Sequence, residues 1–71
     1  MVEMNYVDSS NIEAIGYDAE HSQLHVQFKG GATYVISEVP QEVYDEFVNA
    51  PSKGSYYNRN IKPVYTQVSK L

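Results

Sequence analysis

The segment Gln23–Ser37 constrains the fold most strongly, because it has the pattern of two short β-strands joined by a glycine turn. Apolar residues occupy every second position on both sides of Gly30-Gly31, the period expected of a strand with one buried face. These residues are Leu24, Val26 and Phe28 in the first strand and Ala32, Tyr34 and Ile36 in the second. The sequence therefore predicts a β-hairpin.

The loop length decides whether the two apolar rows share a face, since a shift of one residue turns every side chain of a strand to the other face. A two-residue loop, Gly30-Gly31, leaves the second row on the open face, where Tyr34 would offer a stacking surface. A three-residue loop, Lys29–Gly31, with its last glycine left-handed in a G1 bulge, pairs Phe28 with Ala32. We favour the longer loop because it gathers both apolar rows on one face, and the burial of Tyr34 stays open at this point.

Another strand is predicted upstream, over Ile12–Asp18. Its last residue, Asp18, is placed opposite Gln23 across a polar loop. Residues Met1–Asn11 have neither helical nor strand periodicity and are expected to be a frayed terminus. The sequence thus predicts three antiparallel strands in a meander, whose apolar face needs a cover.

Two C-terminal helices are predicted to supply this cover. The first lies between Pro40 and Pro51 and carries one apolar stripe. That stripe consists of Val43, Tyr44, Phe47 and Val48. The second follows Ser52, its predicted N-cap, and spans Lys53 to Ile61 or Lys62. The predicted fold class is α+β, a three-stranded antiparallel meander with two C-terminal helices packed on one face, in a single domain, 1–71, with an ordered core of about residues 10–65.

Composition argues against several kinds of site. The chain has no cysteine, so it has neither a disulfide framework nor a thiolate metal site. His21 and His25 fall on a loop and a strand without a carboxylate at a matching spacing, and we expect no metal. No nucleophile elbow or phosphate-binding glycine motif occurs, so neither an enzyme nor a cofactor is expected. No apolar run has membrane-helix length, and a cytoplasmic location without membrane contact is expected.

Charge is divided unequally along the chain. Residues 1–51 hold all nine acidic residues and one lysine, a net charge of −8, whereas residues 52–71 hold four cations and no acid. Within the basic part, a cation or tyrosine occurs at every third position, at Lys53, Tyr56, Arg59 and Lys62. The cations would meet phosphates and the tyrosine would stack on an unpaired base, which is the chemistry of RNA binding. The alternative is a basic segment docked against the acidic sheet and helix.

The order of residues along the chain resembles the KTSC domain, a small family named for its occurrence at the C-terminus of some lysyl-tRNA synthetases. The resemblance is carried by Ser10, Ile12, Ile15-Gly16-Tyr17-Asp18, Leu24, Val26, Phe28, Gly31, Tyr34, Val39-Pro40, Val43-Tyr44, Ala50, Ser52, Gly54, Tyr57-Asn58, Ile61 and Tyr65. The family's central Tyr-x-Tyr appears here as Tyr34-Val35-Ile36, without the second tyrosine. The resemblance implies a bacterial or phage-borne domain without an established activity, for which RNA binding is suggested by the synthetase context.

Two functional hypotheses follow. The first is a small non-catalytic module that binds RNA weakly through the basic second helix and the C-terminal segment, with Lys53, Tyr56, Arg59 and Lys62 as contact residues. The second is a protein-interaction or self-associating module without a nucleic-acid role, which would use the open sheet face, a free strand edge or the tyrosine-bearing helix.

Overall fold

The computed structural model describes residues 2–71. Four strands come before two short helices in the chain, and a fifth strand follows them. The strands are β1 (Asn5–Tyr6), β2 (Ile12–Asp18), β3 (Gln23–Phe28), β4 (Thr33–Ile36) and β5 (Val68–Lys70), and the helices are α1 (Gln41–Asn49) and α2 (Lys53–Tyr56), the latter continued by a π-helical turn (Tyr57–Ile61). The strands form one antiparallel sheet in sequence order, from β1 at one edge to β5 at the other. The α+β class predicted from the sequence is confirmed.

The central hairpin has the register of the three-residue loop. Val26 lies opposite Tyr34, and the Phe28 amide donates to the Ala32 carbonyl at 2.8 Å. Gly31 has a φ of +102°, a left-handed conformation that glycine adopts without the Cβ clash of other residues. The predicted loop and register are therefore confirmed, and both apolar rows face the helices.

Strand β2 contains a bulge that the sequence pattern did not reveal. Ile12 pairs with Phe28, but Ala14 pairs with Gln27, so the register shifts between these two positions. Ile12 and Ile15 are three residues apart and would lie on opposite faces of a regular strand. The extra residue at the bulge instead brings both isoleucines into the same core.

The prediction of three strands was wrong in number, because a short strand is added at each edge. In β1, Asn5 pairs with Ile15, so part of the expected frayed terminus is ordered on β2. In β5, Lys70 pairs with Tyr34, beyond the predicted core of residues 10–65. Strands of two and three residues are too short to show alternation, and they form because the edges of β2 and β4 offer unpaired backbone groups.

The two helices cover one face of the sheet, as predicted. The core between them consists of fully buried aliphatic side chains and one phenylalanine: Ile12, Ile15, Leu24, Val26, Ile36, Val39, Phe47 and Ile61. The Tyr17 hydroxyl donates to the Val39 carbonyl and ties β2 to the connection that leads into α1. The burial of Phe47 and Ile61 fixes α1 and the π-helical turn on the sheet.

The second helix starts as predicted but changes type along its length. The Ser52 hydroxyl accepts a hydrogen bond from the Ser55 amide at 3.3 Å, which confirms Ser52 as the N-cap. After Tyr56, the Lys62 amide donates to the Tyr57 carbonyl at 2.9 Å, a bond over five residues that is typical of a π-helix. The predicted helix from Lys53 to Ile61 is thus an α-helical turn followed by a π-helical turn.

The opposite face of the sheet is partly covered by an N-terminal arm, residues 2–4. Around Gly16 the Glu3 carbonyl oxygen, the Met4 Sδ and the Val2 Cγ1 all lie within 2.8 Å of the point that a Cβ would occupy. The arm thus covers Gly16, which is buried. Among the helices in residues 2–71, none is both long and apolar enough to cross a membrane.

Candidate nucleic-acid interface

The structure distributes the four residues of the predicted RNA stripe over three separate clefts. Lys53 lines a cleft between β1 and α1. Tyr56 and Arg59 line a small cleft at α2, and Lys62 lines a cleft beside the hairpin. An α-helix has 3.6 residues per turn, so nine residues carry Lys62 about half a turn away from Lys53, and the π-helical turn over Tyr57–Ile61 changes the position of Lys62 further.

Two of the four residues are engaged with the protein's own helices. The Lys53 ammonium donates to the Ala50 carbonyl at 2.8 Å. The Tyr56 hydroxyl donates to Glu46 Oε1 at 2.8 Å, and its ring stacks on Phe47 with centroids 5.5 Å apart. Burial, followed by the hydrogen bond to Glu46, raises the pKa of Tyr56 to about 12. Tyr56 thus has one ring face and its hydroxyl occupied.

The other two predicted residues lie on the surface. Arg59 is exposed and shares a cleft of about 240 Å³ with Asn60 and Ser55. Lys62 is exposed at the end of the π-helical turn. The structure therefore does not unite the four residues, and Lys62 belongs to a different surface from the other three.

The surface that Lys62 borders is an aromatic cleft of about 510 Å³. It is lined by Phe28, Ala32, Tyr34, Tyr57, Asn58, Lys62 and Val68, which come from β3, the hairpin loop, β4, the π-helical turn and β5. We call this surface the aromatic cleft. Its volume lies within the range of ordinary ligand sites.

Three aromatic rings form the wall of the aromatic cleft. Phe28 is central: its ring meets Tyr34 edge to face at a centroid distance of 5.7 Å, and Tyr57 edge to face at 5.4 Å. Such edge-to-face contacts are favourable because the positive edge of one ring meets the negative face of another. Phe28 thereby holds the two tyrosines in fixed positions on either side of it.

The polar groups at the aromatic cleft are neutral or positive. Lys62 and Asn58 contribute an ammonium and an amide, and no acidic side chain is among the lining residues. Lys70 lies directly opposite Tyr34 in the β4–β5 pairing, and cross-strand partners share a face of the sheet. Burial, with a smaller effect of Tyr34, raises the pKa of Tyr57 above its usual value. The aromatic cleft therefore combines stacking surfaces with at least two adjacent cations.

The sequence predicts Lys62 as a contact residue but does not place it beside Phe28, Tyr34 and Val68. The hairpin register favours burial of Phe28 and leaves that of Tyr34 open, and both side chains are half-buried. The available signal was the absence of acidic residues after Ser52, together with the aromatic residues at the hairpin turn, but only the π-helical turn and β5 bring these features together.

The two histidines of the predicted loop and strand do not form a metal site. His21 contacts Asp18 through its Nδ1, 2.8 Å from Oδ2, on the exposed β2–β3 loop. This contact raises the pKa of His21 and lowers that of Asp18. Within residues 2–71, no three histidine or carboxylate side chains come together in an arrangement that could hold a metal ion.

Comparison with known proteins places this arrangement in a family. The fold and the aromatic cleft define a small α+β module. Its sheet carries two helices on one face, and at the hairpin end lies a cleft lined by neutral and positively charged side chains. The model of the KTSC domain matches residues 8–65. The chain belongs to the KTSC domain family, as its sequence predicted.

A solved structure and two kinds of relatives support this assignment. The crystal structure of a KTSC domain protein from Yersinia pestis superposes with a TM-score of 0.92 at 33% identity, over 100% of this chain and 99% of the other. A protein of Tsukamurella paurometabola is 46% identical over 66 residues, which are 93% of this chain and 98% of the relative. A lysine–tRNA ligase of Nostoc punctiforme is 34% identical over 55 residues, 78% of this chain but only 10% of the ligase. The same domain thus occurs both as most of a small protein and as a minor part of a large one.

Proposed function

We propose that this protein is a non-catalytic module that binds single-stranded RNA through the aromatic cleft. The observation that carries the proposal is the π-helical turn, which brings Lys62 to the side of the cleft that holds Tyr57, beside Phe28 and Tyr34. Wide π turns occur frequently at functional sites. An unpaired base stacks on an aromatic ring whatever its identity, while neighbouring cations bind the flanking phosphates.

Charge supports the aromatic cleft as the contact surface. The protein as a whole has a net charge of −4, which repels a polyanion, so any contact must use a locally basic region. Lys62 lines the cleft and Lys70 is the cross-strand partner of Tyr34, and both lie in a segment without acidic residues. Two phosphate contacts are few, and we expect binding in the range of non-specific complexes, with a Kd of about 10⁻⁴–10⁻⁶ M at physiological salt.

The similarity to lysine–tRNA ligases also supports RNA as the ligand. The name of the Nostoc punctiforme relative states that the enzyme acts on tRNA. A domain that accounts for 10% of such an enzyme is well placed to add contacts to the same substrate. In a small protein without the remaining ligase chain, the domain would keep this binding property alone.

Two double variants that remove the same charge test the location of the site. In the first, Lys62→Gln and Lys70→Gln remove the cations of the aromatic cleft. In the second, Lys53→Gln and Arg59→Gln remove two cations that line other clefts. Binding to a fluorescent single-stranded RNA of about ten nucleotides is measured by anisotropy at several salt concentrations.

We expect the first double variant to lose most of the binding, and the slope of log K against log salt to become shallower by about 1.4, for two lost phosphate contacts. The second double variant is expected to bind as the unmodified protein does, after urea unfolding has shown equal stability. If instead only the second variant loses affinity, the contact surface is the one that carries Lys53 and Arg59 and not the aromatic cleft. If the unmodified protein does not bind RNA at all, the proposed function is wrong.

Self-association is the second candidate, because β5 is an edge strand that exposes apolar side chains. Val68 and Leu71 are 44% and 76% exposed, and the outer edge of β5 pairs with no strand of the described chain. A second copy pairing with this edge would raise the mass above 8.0 kDa. Sedimentation equilibrium measures this mass directly, and a monomer at high protein concentration would eliminate this candidate.

A further inference from the structure

The face of the sheet opposite the helices carries a histidine, His25, next to the N-terminal arm. His25 in β3 lies directly between Gly16 of β2 and Val35 of β4. The arm lies against Gly16, its residues approaching within 2.8 Å of the position of a Cβ. The His25 side chain is therefore adjacent to the surface that the arm covers.

One nitrogen of His25 is buried without a hydrogen-bond partner. Within the described chain, Nε2 is excluded from water and no protein group lies within hydrogen-bond distance. A neutral imidazole tolerates this position if Nε2 is the unprotonated nitrogen, since a vacant acceptor costs less than a buried charge. Protonation would place a donor and a positive charge at an atom that has neither water nor an acceptor.

We propose that the N-terminal arm is an acid-sensitive strap, which leaves the sheet when His25 takes up a proton. The arm is the mobile partner in this arrangement because it is held by a few contacts at Gly16 and by the two-residue strand β1. Its contact at Gly16, the cross-strand neighbour of His25, places the arm beside the ring, and lifting it breaks neither the β2–β3 nor the β3–β4 pairing. Release would uncover Gly16 on this face.

The charges around His25 act in opposite directions. Burial is the largest effect and lowers the pKa of His25, and the positive amino terminus of the chain acts in the same direction. Asp18, at the end of β2, attracts the proton and raises the pKa, but its own carboxylate already contacts His21. The net direction is a lowered pKa, as expected where the protonated form is compatible only with an open arm.

Linkage fixes the sign and the slope of the effect. Below the ordinary histidine pKa of 6.5 the open form binds a proton that the closed form does not. The equilibrium constant for arm opening therefore rises by up to tenfold for each unit that the pH falls, until the lowered pKa of the closed form is reached. Above pH 6.5 the arm is expected to stay closed.

Amide hydrogen exchange of the full chain, followed by NMR from about pH 7.5 to about pH 5 with correction for intrinsic exchange rates, tests this proposal. We expect the protection of β1 to fall with pH while that of β3 stays constant. The variant His25→Gln, which cannot take up the proton, is expected to abolish this dependence. The variant His21→Gln, which removes the exposed histidine, serves as the matched control and is expected to behave as the unmodified protein.

Two results would overturn the proposal: constant protection of the arm over the whole pH range, or the same loss of protection in His25→Gln. If His25→Gln does not fold, the ring signals of the unmodified protein decide instead. The chemical shifts of the arm must then change with the same midpoint pH as the ring signals of His25. A midpoint equal to that of His21 would overturn the proposal equally.

Discussion

Replacing Gly16 by alanine is the sharpest test of the contact between the arm and the sheet. The new Cβ would lie 2.7 Å from the Glu3 carbonyl oxygen, 2.8 Å from the Met4 Sδ and 2.8 Å from the Val2 Cγ1. Ordinary van der Waals contact begins at 3.4 Å. Because one of the three atoms belongs to the backbone and cannot rotate away, the whole arm has to shift.

The expected loss of stability follows from two opposing effects. Overpacking of a closely packed site costs about 1–3 kcal/mol. Alanine in a strand recovers about 0.5–1 kcal/mol relative to glycine, because the unfolded chain has less backbone freedom to lose. We therefore expect Gly16→Ala to lower the free energy of unfolding by about 1 kcal/mol, within a range of about 0–2.5 kcal/mol. A chain of 71 residues has a total of about 4–11 kcal/mol, so the change is measurable.

Urea unfolding followed by circular dichroism measures this change, with two glycines of the hairpin loop as controls. An alanine Cβ at Gly30 meets no atom within 4 Å, and Gly30→Ala is expected to change stability by less than about 0.5 kcal/mol. Gly31 has a φ of +102°, so Gly31→Ala is expected to cost about 1–3 kcal/mol through backbone strain without any collision.

A shortened chain that begins at Asn5 separates the collision from every other effect of the substitution. Without residues 1–4 there is no arm to displace, and Gly16→Ala should then be neutral or slightly stabilising. The reasoning is refuted if Gly16→Ala matches Gly30→Ala in the full chain, or if it costs as much in the shortened chain as in the full one.

Three further predictions concern the helices and the surface. Ser52→Ala removes the N-cap of α2 and should lower the free energy of unfolding by about 0.5–2 kcal/mol in urea. In an alkaline titration of phenolate absorbance, Tyr56 should ionise late, with a pKa of about 12, and Glu46→Gln should lower that pKa because the acceptor carboxylate loses its charge. Stability from the Asp18–His21 contact should be complete between pH 3.8 and pH 6.5, decreasing below that range as Asp18 is protonated and above it as pH rises through the raised pKa of His21.

Each of these has a control or a contrary result. Ser55→Ala keeps the backbone donor of the cap and should be close to neutral, so an equal loss in both serine variants would argue against the cap. An unchanged titration in Glu46→Gln would show that the hydroxyl of Tyr56 does not use this carboxylate. Asp18→Asn should remove the pH dependence at both ends of the range, and chemical unfolding at a series of pH values measures it.

The sequence was sufficient for the parts of the fold that repeat a pattern over several residues. Alternation specified that Leu24 and Val26 of β3 are buried, and glycine at position 31 specified the loop that aligns Ile36 with them. The serine before Lys53 specified the start of α2. These are local effects, in which the residues concerned are within a few positions of one another, so sequence alone contains the cause.

The candidate site depends on contacts that no local pattern contains. The stripe of Lys53, Tyr56, Arg59 and Lys62 winds around the helix at a spacing of three, and the π-helical turn changes the helical geometry after Tyr56. Within the π-helical turn, Ile61 is buried in the core and Tyr57 packs on Phe28. The sequence therefore predicted Lys62 as a contact residue, and only the structure shows the surface that Lys62 lines.

The sequence by itself determined the α+β class, the hairpin and its register, because alternation and a left-handed glycine leave few solutions. The tertiary structure alone decided the two edge strands, the bulge that brings Ile12 and Ile15 into one core, the arm over Gly16 and the aromatic cleft. Each of these depends on residues far apart in the chain, whose meeting is selected by the free energy of packing and by unpaired backbone groups at the sheet edges. These packing and hydrogen-bonding free energies arise only once the sheet has formed. The local sequence pattern therefore does not predict them.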